Sequence, residues 1–209
     1  PVAYKQIDGQ TRVSLDMNAW ESFFVVFNKP MTSPSKQLKT TVYSPLQTIS
    51  SPWAVQFEKG RGAPSNTSLT ALYSLSEHKD AGIRYFSGVS SYRNSVNIET
   101  SVKNRSVLLD LGRVGDIAEV YVNGEYAGAA WKAPYRVDIT QQLVQGKNQL
   151  DIKVANLWVN RLVGDRQSGE DAVTYTTFKT YLPNAPLRPS GLIGPVKVLV
   201  NSTIDNRIM

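Results

Sequence analysis

Residues 122–165 read VNGEYAGAAWKAPYRVDITQQLVQGKNQLDIKVANLWVNRLVGD. Asn123–Gly124 joins AEVYV (118–122) to EYAGAA (125–130), and both residues tolerate positive φ, as a two-residue type I′ hairpin requires. In QLDIKVA (149–155), Leu150, Ile152 and Val154 alternate with Gln149, Asp151 and Lys153. One face of that strand is therefore apolar and the other polar. Between these strands Asp138 and Thr140 can bond nearby backbone at a turn. Asp138 caps the single turn ITQQLV (139–144), and Gly146 ends it.

The same grammar extends outward. Strands are expected at Trp53–Phe57, Ile83–Arg93, Ser95–Ser101, Val107–Leu111, Ala118–Val122, Glu125–Ala130, Tyr135–Val137, Asn148–Ala155 and Pro195–Val200. Gly191 and Gly194 supply tight backbone before the last of them. Leu69–Leu75 (LTALYSL) reads as a helix or helical turn. Upstream, Arg12–Met17 alternates, and Phe23–Phe27 (FFVVF) fits a strand buried on both faces. Residues 28–51, with Pro30, Pro34 and Pro45, read as a connector containing a short strand at Leu38–Tyr43. The expected fold is all-β: an antiparallel β-sandwich or jelly roll with a small N-terminal strand appendage. Residues 1–50 are assigned to the end of a preceding β module plus linker, and 51–209 to the sandwich.

Composition narrows the chemistry. A chain of 209 residues with 41% apolar residues suits one ordinary core plus an appendage. It has no cysteine and one histidine, His78, which excludes disulfides, thiolate metal sites, a Cys nucleophile and multi-His sites within the chain. The net charge of +6 is spread out, with short basic spots at Lys36–Lys39 and Lys103–Arg105, so no nucleic-acid partner is expected. No apolar run approaches the roughly 20 residues of a membrane span. The loop Glu58–Lys59–Gly60–Arg61–Gly62 lacks the Lys-Ser/Thr ending of a phosphate loop, and no Gly-x-Ser-x-Gly elbow occurs. Triplets at Asn66, Asn104 and Asn201 match the glycosylation tripeptide and carry no weight in a bacterial chain. The first residue is Pro1, so a leader has been removed or the sequence is a piece of something longer.

The spaced set Asn123–Gly124, Gly128, Tyr135, Asp138–Ile139–Thr140, Leu143, Gly146, Asn148, Leu150, Ile152, Val154 and Asn156 resembles the galactose-binding-like sandwich of large glycoside hydrolases. Three further stretches, residues 80–93, 156–165 and 190–196, resemble the C-terminal sandwich of glycoside hydrolase family 106, the α-L-rhamnosidase-like enzymes. Leu15–Phe27 looks like the end of the module before it. The resemblance implies a non-catalytic accessory domain that braces the catalytic module of the same polypeptide and can bind a plant-type oligosaccharide. It implies a bacterial protein, secreted or periplasmic. It also places the catalytic acids on a barrel outside these residues, so no catalytic residue is assigned here.

Sugar rings present an apolar C–H face that packs on flat aromatics, while their hydroxyls bond Asn, Asp and Arg. Trp131, Tyr135, Trp158, Asn160, Arg161 and Asp165 are the carbohydrate-binding candidates on that ground. The alternative is that Trp158 is core and Arg161–Asp165 an internal ion pair, or that this edge docks on the catalytic module. Glycoside hydrolysis by the chain itself would need two carboxyl groups roughly 5–9.5 Å apart, for which Glu77 with Asp80, or Glu170–Asp171, are loose candidates. A pure protein-interaction module is the third reading. His78 between Glu77 and Asp80 could hold a cation or a ligand, but a solvated loop fits better. No cofactor is expected. A structural Ca²⁺ would use oxygen ligands such as Asp110 or Asp116, with no spacing that places it.

Overall fold

The computed structural model describes residues 2–15, 17–28, 30, 33–36, 41–50, 52–99, 105–168 and 172–202. The chain divides into two compact units, Pro1–Tyr43 with Ser202–Met209, and Ser44–Asn201.

In the first unit, strands β1 (Tyr4–Ile7), β2 (Gln10–Val13) and β3 (Ser35–Lys36) form a sheet in the order β2-β1-β3. Asp8 and Gly9, both at positive φ, make the hairpin turn between β1 and β2. The strand expected over Arg12–Met17 therefore stops at Val13. Phe23–Phe27 differs more: it forms no strand, and Phe24 is 96% exposed. A strand buried on both faces needs a layer on each side. Among the described residues neither layer exists for FFVVF.

The second unit begins within β4 (Val42–Thr48). Of the strand expected at Leu38–Tyr43, residues 38–40 lie outside the described residues; what is seen starts at Val42. Next come β5 (Trp53–Phe57), β6 (Asn66–Leu69), a 3₁₀ turn at Leu75–Glu77, and the one-turn helix α1 (Ala81–Arg84). They are followed by β7 (Gly88–Ile98), β8 (Val107–Asp110), β9 (Arg113–Val114), β10 (Ile117–Val122), β11 (Glu125–Ala130) and β12 (Arg136–Asp138). Finally β13 (Gly146–Asn156), α2 (Val159–Ser168), β14 (Leu192–Gly194) and β15 (Lys197–Ser202) complete the unit. A six-stranded sheet, β11-β10-β13-β7-β5-β6, faces a four-stranded one, β12-β8-β15-β4, and every pairing with a resolved register in the two is antiparallel. The expected all-β sandwich is what the chain builds.

The core lies between the two sheets. From one come Trp53, Val55, Tyr92, Val120, Leu150, Ile152 and Val154; from the other, Val107, Leu109, Val137 and Val198. Each such side chain, fully buried, stabilises by about 1.5–3 kcal/mol relative to exposure. Tyr92 is wholly enclosed, and desolvation pushes its hydroxyl up to about 12. The alternation of residues 149–154 is seen directly, with Leu150, Ile152 and Val154 inside.

Three local expectations are corrected. LTALYSL is no helix: Leu69 ends β6 opposite Trp53, and the Leu75 N–H donates to the Ser190 carbonyl at 2.9 Å. Its backbone is used across the fold, and seven residues nucleate a helix poorly. Ile83–Arg93 is not one strand. Asp80 accepts from the Ile83 N–H at 3.2 Å and caps α1, so the strand begins at Gly88 and runs on through Val96 to Ile98. Helix α2 was not foreseen. Its sequence VNRLVGDRQS carries β-branched residues and a glycine and no continuous apolar stripe.

The hairpin motif is held by two asparagines. Asn123 donates to the Gln142 carbonyl (2.9 Å) and to Asn148 Oδ1 (2.8 Å), and accepts from the Gln149 N–H (2.9 Å). Buried Asn148 donates to the Val144 and Gly146 carbonyls and accepts from the Val144 N–H. Asp138 accepts from the Thr140 N–H at 2.9 Å, and the Thr140 hydroxyl accepts from Val107 N–H at 2.8 Å. The spaced polar residues of 123–148 thus serve the backbone.

Candidate functional site

Register decides which loops share an end of the sandwich. Ala130 at the end of β11 faces Ala118 in β10, which faces Val154 in β13, and Asn156 faces Gly88 at the start of β7. Phe57 at the end of β5 faces Ser90. Hence Trp131, Asp116, Trp158 and the loop after Phe57 all leave the six-stranded sheet at one end. The ends of β11 and β13 are two strand spacings apart, about 10 Å.

Of the six candidates, two are open to solvent. Trp131 is 69% exposed on the β11–β12 connection, and Trp158 is 48% exposed just before α2. Trp158 is not core. The Arg61 guanidinium lies 5.1 Å from its ring centre, a cation–π distance, and Arg61 is itself held at 3.0 Å by Glu58. Glu58 also accepts from the Val89 N–H at 3.1 Å, and these two bonds hold its carboxyl below the usual range. Tyr135 is half-buried and packs on the core, and its carbonyl accepts from the Leu111 N–H at 2.8 Å.

The other three point inward. Asn160 donates to the Arg188 carbonyl and accepts from the Arg188 N–H, each at 2.8 Å. Arg161 and Asp165 form an ion pair of 2.8 Å one turn apart on α2, with side chains only 5% and 8% exposed. Asp165 further accepts from the Val173 and Thr174 N–H groups (3.0 and 2.9 Å) and from the Thr174 hydroxyl. Burial pushes its carboxyl up, but these donors and Arg161 outweigh it and leave it below the ordinary value.

Around this pair sits a packing knot. A Cβ on Gly62 would lie 2.9 Å from Arg161 Nη1, and one on Gly164 would lie 2.5 Å from the Tyr85 ring. The Tyr85 ring has the Arg161 guanidinium 5.8 Å from its centre, and its hydroxyl donates to Gln167 at 2.9 Å. Arg61, Gly62, Tyr85 and Gly164 are not among the site residues read from the sequence. They are some 80 to 100 residues from their partners, and no spacing rule reaches that far.

Asp116 and Asp80 also serve the backbone. Asp116 accepts from the Leu157 N–H at 3.2 Å; desolvation raises its carboxyl, opposed by that bond and by Arg188. Asp80 caps α1, and His78 Nδ1 accepts from the Asp80 N–H at 3.0 Å while its ring stacks on Tyr73. Glu170–Asp171 lie outside the described residues. Among the described residues no group of three His, Asp or Glu side chains converges on a metal position. No helix among them is long and apolar enough to cross a membrane. At the opposite end of the sandwich a cavity of about 990 Å³ is bordered by Glu99, Arg105, Thr140 and Gln142.

Residues 76–186 match the family described as glycosyl hydrolase 2 galactose-binding domain-like. The chain belongs to this family. A solved rhamnosidase from Novosphingobium sp. PP1Y is 43% identical and superposes with a TM-score of 0.90, over 96% of this chain and 19% of that one. A protein of Formosa agariphila that carries the name beta-glucuronidase is 34% identical over 193 residues, 79% of this chain and 17% of its own length. The beta-D-glucuronidase of Dictyoglomus thermophilum, at 18% identity and a TM-score of 0.54, shares the fold over 80% of this chain and 29% of its own. The galactose-binding-like domain therefore spans less than a third of each of these proteins. The glycoside-hydrolase resemblance read from residues 80–93, 122–165 and 190–196 agrees with these matches.

Proposed function

We propose that this domain is a non-catalytic accessory module of a rhamnosidase-like glycoside hydrolase. It braces the catalytic module of the same polypeptide and offers Trp131 and Trp158 to carbohydrate. The supporting observation is the work done by the carboxylates at the Trp131–Trp158 end. Glu58, Asp116 and Asp165 are each committed to backbone N–H groups, and two of them also to guanidinium groups. Such groups fix loops and are poorly placed to trade protons with a scissile bond. Two exposed indoles that follow strand ends about 10 Å apart suit an oligosaccharide of two or more rings. A secreted or periplasmic bacterial setting goes with this reading, because polymeric glycans are met outside the cytoplasm.

The 209-residue chain is assayed on aryl rhamnosides and titrated calorimetrically with plant-type oligosaccharides. The reading expects no turnover, and weak sugar binding that Trp131→Ala abolishes without change in melting temperature. Turnover by this chain alone would overturn it. A melting loss in Trp158→Ala with sugar binding intact would reassign that ring to packing on Arg61.

A second reading, a pure interaction module, is favoured by the exposure of Trp20 and Phe23–Phe27. It expects no heat with any sugar.

A further inference from the structure

Asn123–Gly124 is the one Asn-Gly pair in the chain. Asparagine is a thermolabile side chain, and most of all before glycine. The glycine backbone nitrogen can attack the asparagine side-chain carbonyl carbon, with no side chain of its own to hinder the approach. A bond forms between Gly124 N and Asn123 Cγ, and the Cγ–Nδ2 bond breaks. The Gly124 N–H proton leaves with the amide as ammonia. Water, the one co-reactant, then opens the cyclic imide to aspartate or isoaspartate.

The hairpin leaves this pair accessible. Asn123 and Gly124 are both exposed, and a Cβ on Gly124 would meet no atom within 4 Å. The carboxamide, however, is tied at both ends. Asn123 Nδ2 donates to the Gln142 carbonyl at 2.9 Å and to Asn148 Oδ1 at 2.8 Å, and Oδ1 accepts from the Gln149 N–H at 2.9 Å. All three partners lie on residues 142–149 and none on Gly124. Attack makes Cγ tetrahedral and turns Oδ1 and Nδ2 out of these bonds.

We infer that Asn123 is the site at which this chain deamidates, and that its three bonds to residues 142–149 hold the reaction shut while the chain is folded. The inference stands apart from the carbohydrate reading. Once formed, an aspartate at 123 sets a carboxylate against Asn148 Oδ1 and the Gln142 carbonyl, two acceptors with no proton between them. Buried Asn148 cannot turn its amide over to compensate. Its Nδ2 donates to the Val144 and Gly146 carbonyls, and its Oδ1 accepts from the Val144 N–H. Isoaspartate instead adds a backbone atom to a two-residue turn that pairs Val122 with Glu125. Either product unhooks the β10–β11 hairpin.

The test incubates the 209-residue chain in mildly alkaline buffer, folded and in concentrated urea. Peptide mass spectrometry follows aspartate and isoaspartate at position 123. A net hydrogen bond is worth about two- to tenfold, so the folded chain is expected to react at least about tenfold more slowly than the unfolded one. Asn148→Ala, held at a temperature where circular dichroism shows it folded, is expected to react about three- to tenfold faster than the folded native chain. Asn123→Asp installs the product without the reaction and is expected to lower the melting midpoint. Equal rates in the folded and unfolded native chain would overturn the inference, and that comparison needs no variant to fold. So would a folded Asn148→Ala that reacts at the native rate, an unfolded chain in which another asparagine reacts first, or an unchanged midpoint in Asn123→Asp.

Discussion

Replacing Asp165 with alanine tests how the domain holds α2 and the chain that follows it. The carboxylate joins four groups: the Arg161 guanidinium on its own helix, and beyond it the backbone N–H groups of Val173 and Thr174 and the Thr174 hydroxyl. Alanine leaves Arg161 charged, with its side chain 5% exposed, under Tyr85 and against Gly62. Removing one partner of a buried ion pair typically costs about 3–5 kcal/mol, because the remaining charge stays desolvated. The two freed N–H groups are only part-buried, so water recovers most of their loss. For a chain of this size each kcal/mol moves the melting midpoint about 2–4 °C, so a fall of roughly 6–20 °C is expected. The assay is thermal unfolding followed by circular dichroism, repeated for Arg161→Leu and for the double variant. Removing both charges together is expected to cost less than the two single losses added, a coupling of at least about 1 kcal/mol. A fall below about 3 °C in Asp165→Ala, or strict additivity in the cycle, would refute the argument that this pair holds α2 and the following chain together.

Three other outcomes follow from the geometry. Gly164→Ala drives a methyl to 2.5 Å from the Tyr85 ring and is expected to cost about 1–3 kcal/mol, read from a lowered urea midpoint. Asn148→Ala strips partners from Val144, Gly146 and Asn123 and should cost at least about 2 kcal/mol, with loss of hydrogen-exchange protection centred on the β10–β11 hairpin. For pH, Asp165 lies below its ordinary value, so its stabilisation is complete above about pH 4 and fades as pH falls through the depressed value. Asp116, raised by desolvation, works the other way, its ionisation costing stability as pH rises through its ordinary range. Unfolding free energy measured from pH 6 to pH 2 should drop for the native chain and flatten for Asp165→Asn.

The sandwich was readable because its signals are local. A period of two over residues 149–154 and the Asn123–Gly124 turn need no knowledge of distant residues. The same locality explains the failures. FFVVF reads as core from composition alone, but burial depends on what covers it. LTALYSL reads as helix until Leu69 and Leu75 find partners at Trp53 and Ser190. Asp8–Gly9 was a hairpin signal as good as Asn123–Gly124 and could have revealed β1. The candidate site was legible as a list and not as an arrangement. The i,i+4 spacing of Arg161 and Asp165 does suggest an internal pair. Nothing local says that Gly62 and Tyr85 close over it, or that Asn160 turns away from solvent.

The central ladder between β7 and β13 runs eleven residues on each side without a shift of register. A zipper of that length sits in the middle of its sheet, so its amides are the last to exchange with solvent, and its opening coincides with global unfolding. Among the described residues 172–187, the bonds to α2 are chiefly those of Asp165 and Gln167. Opening around these bonds is therefore expected at a lower free energy than opening of the ladder, while the frame behind stays shut.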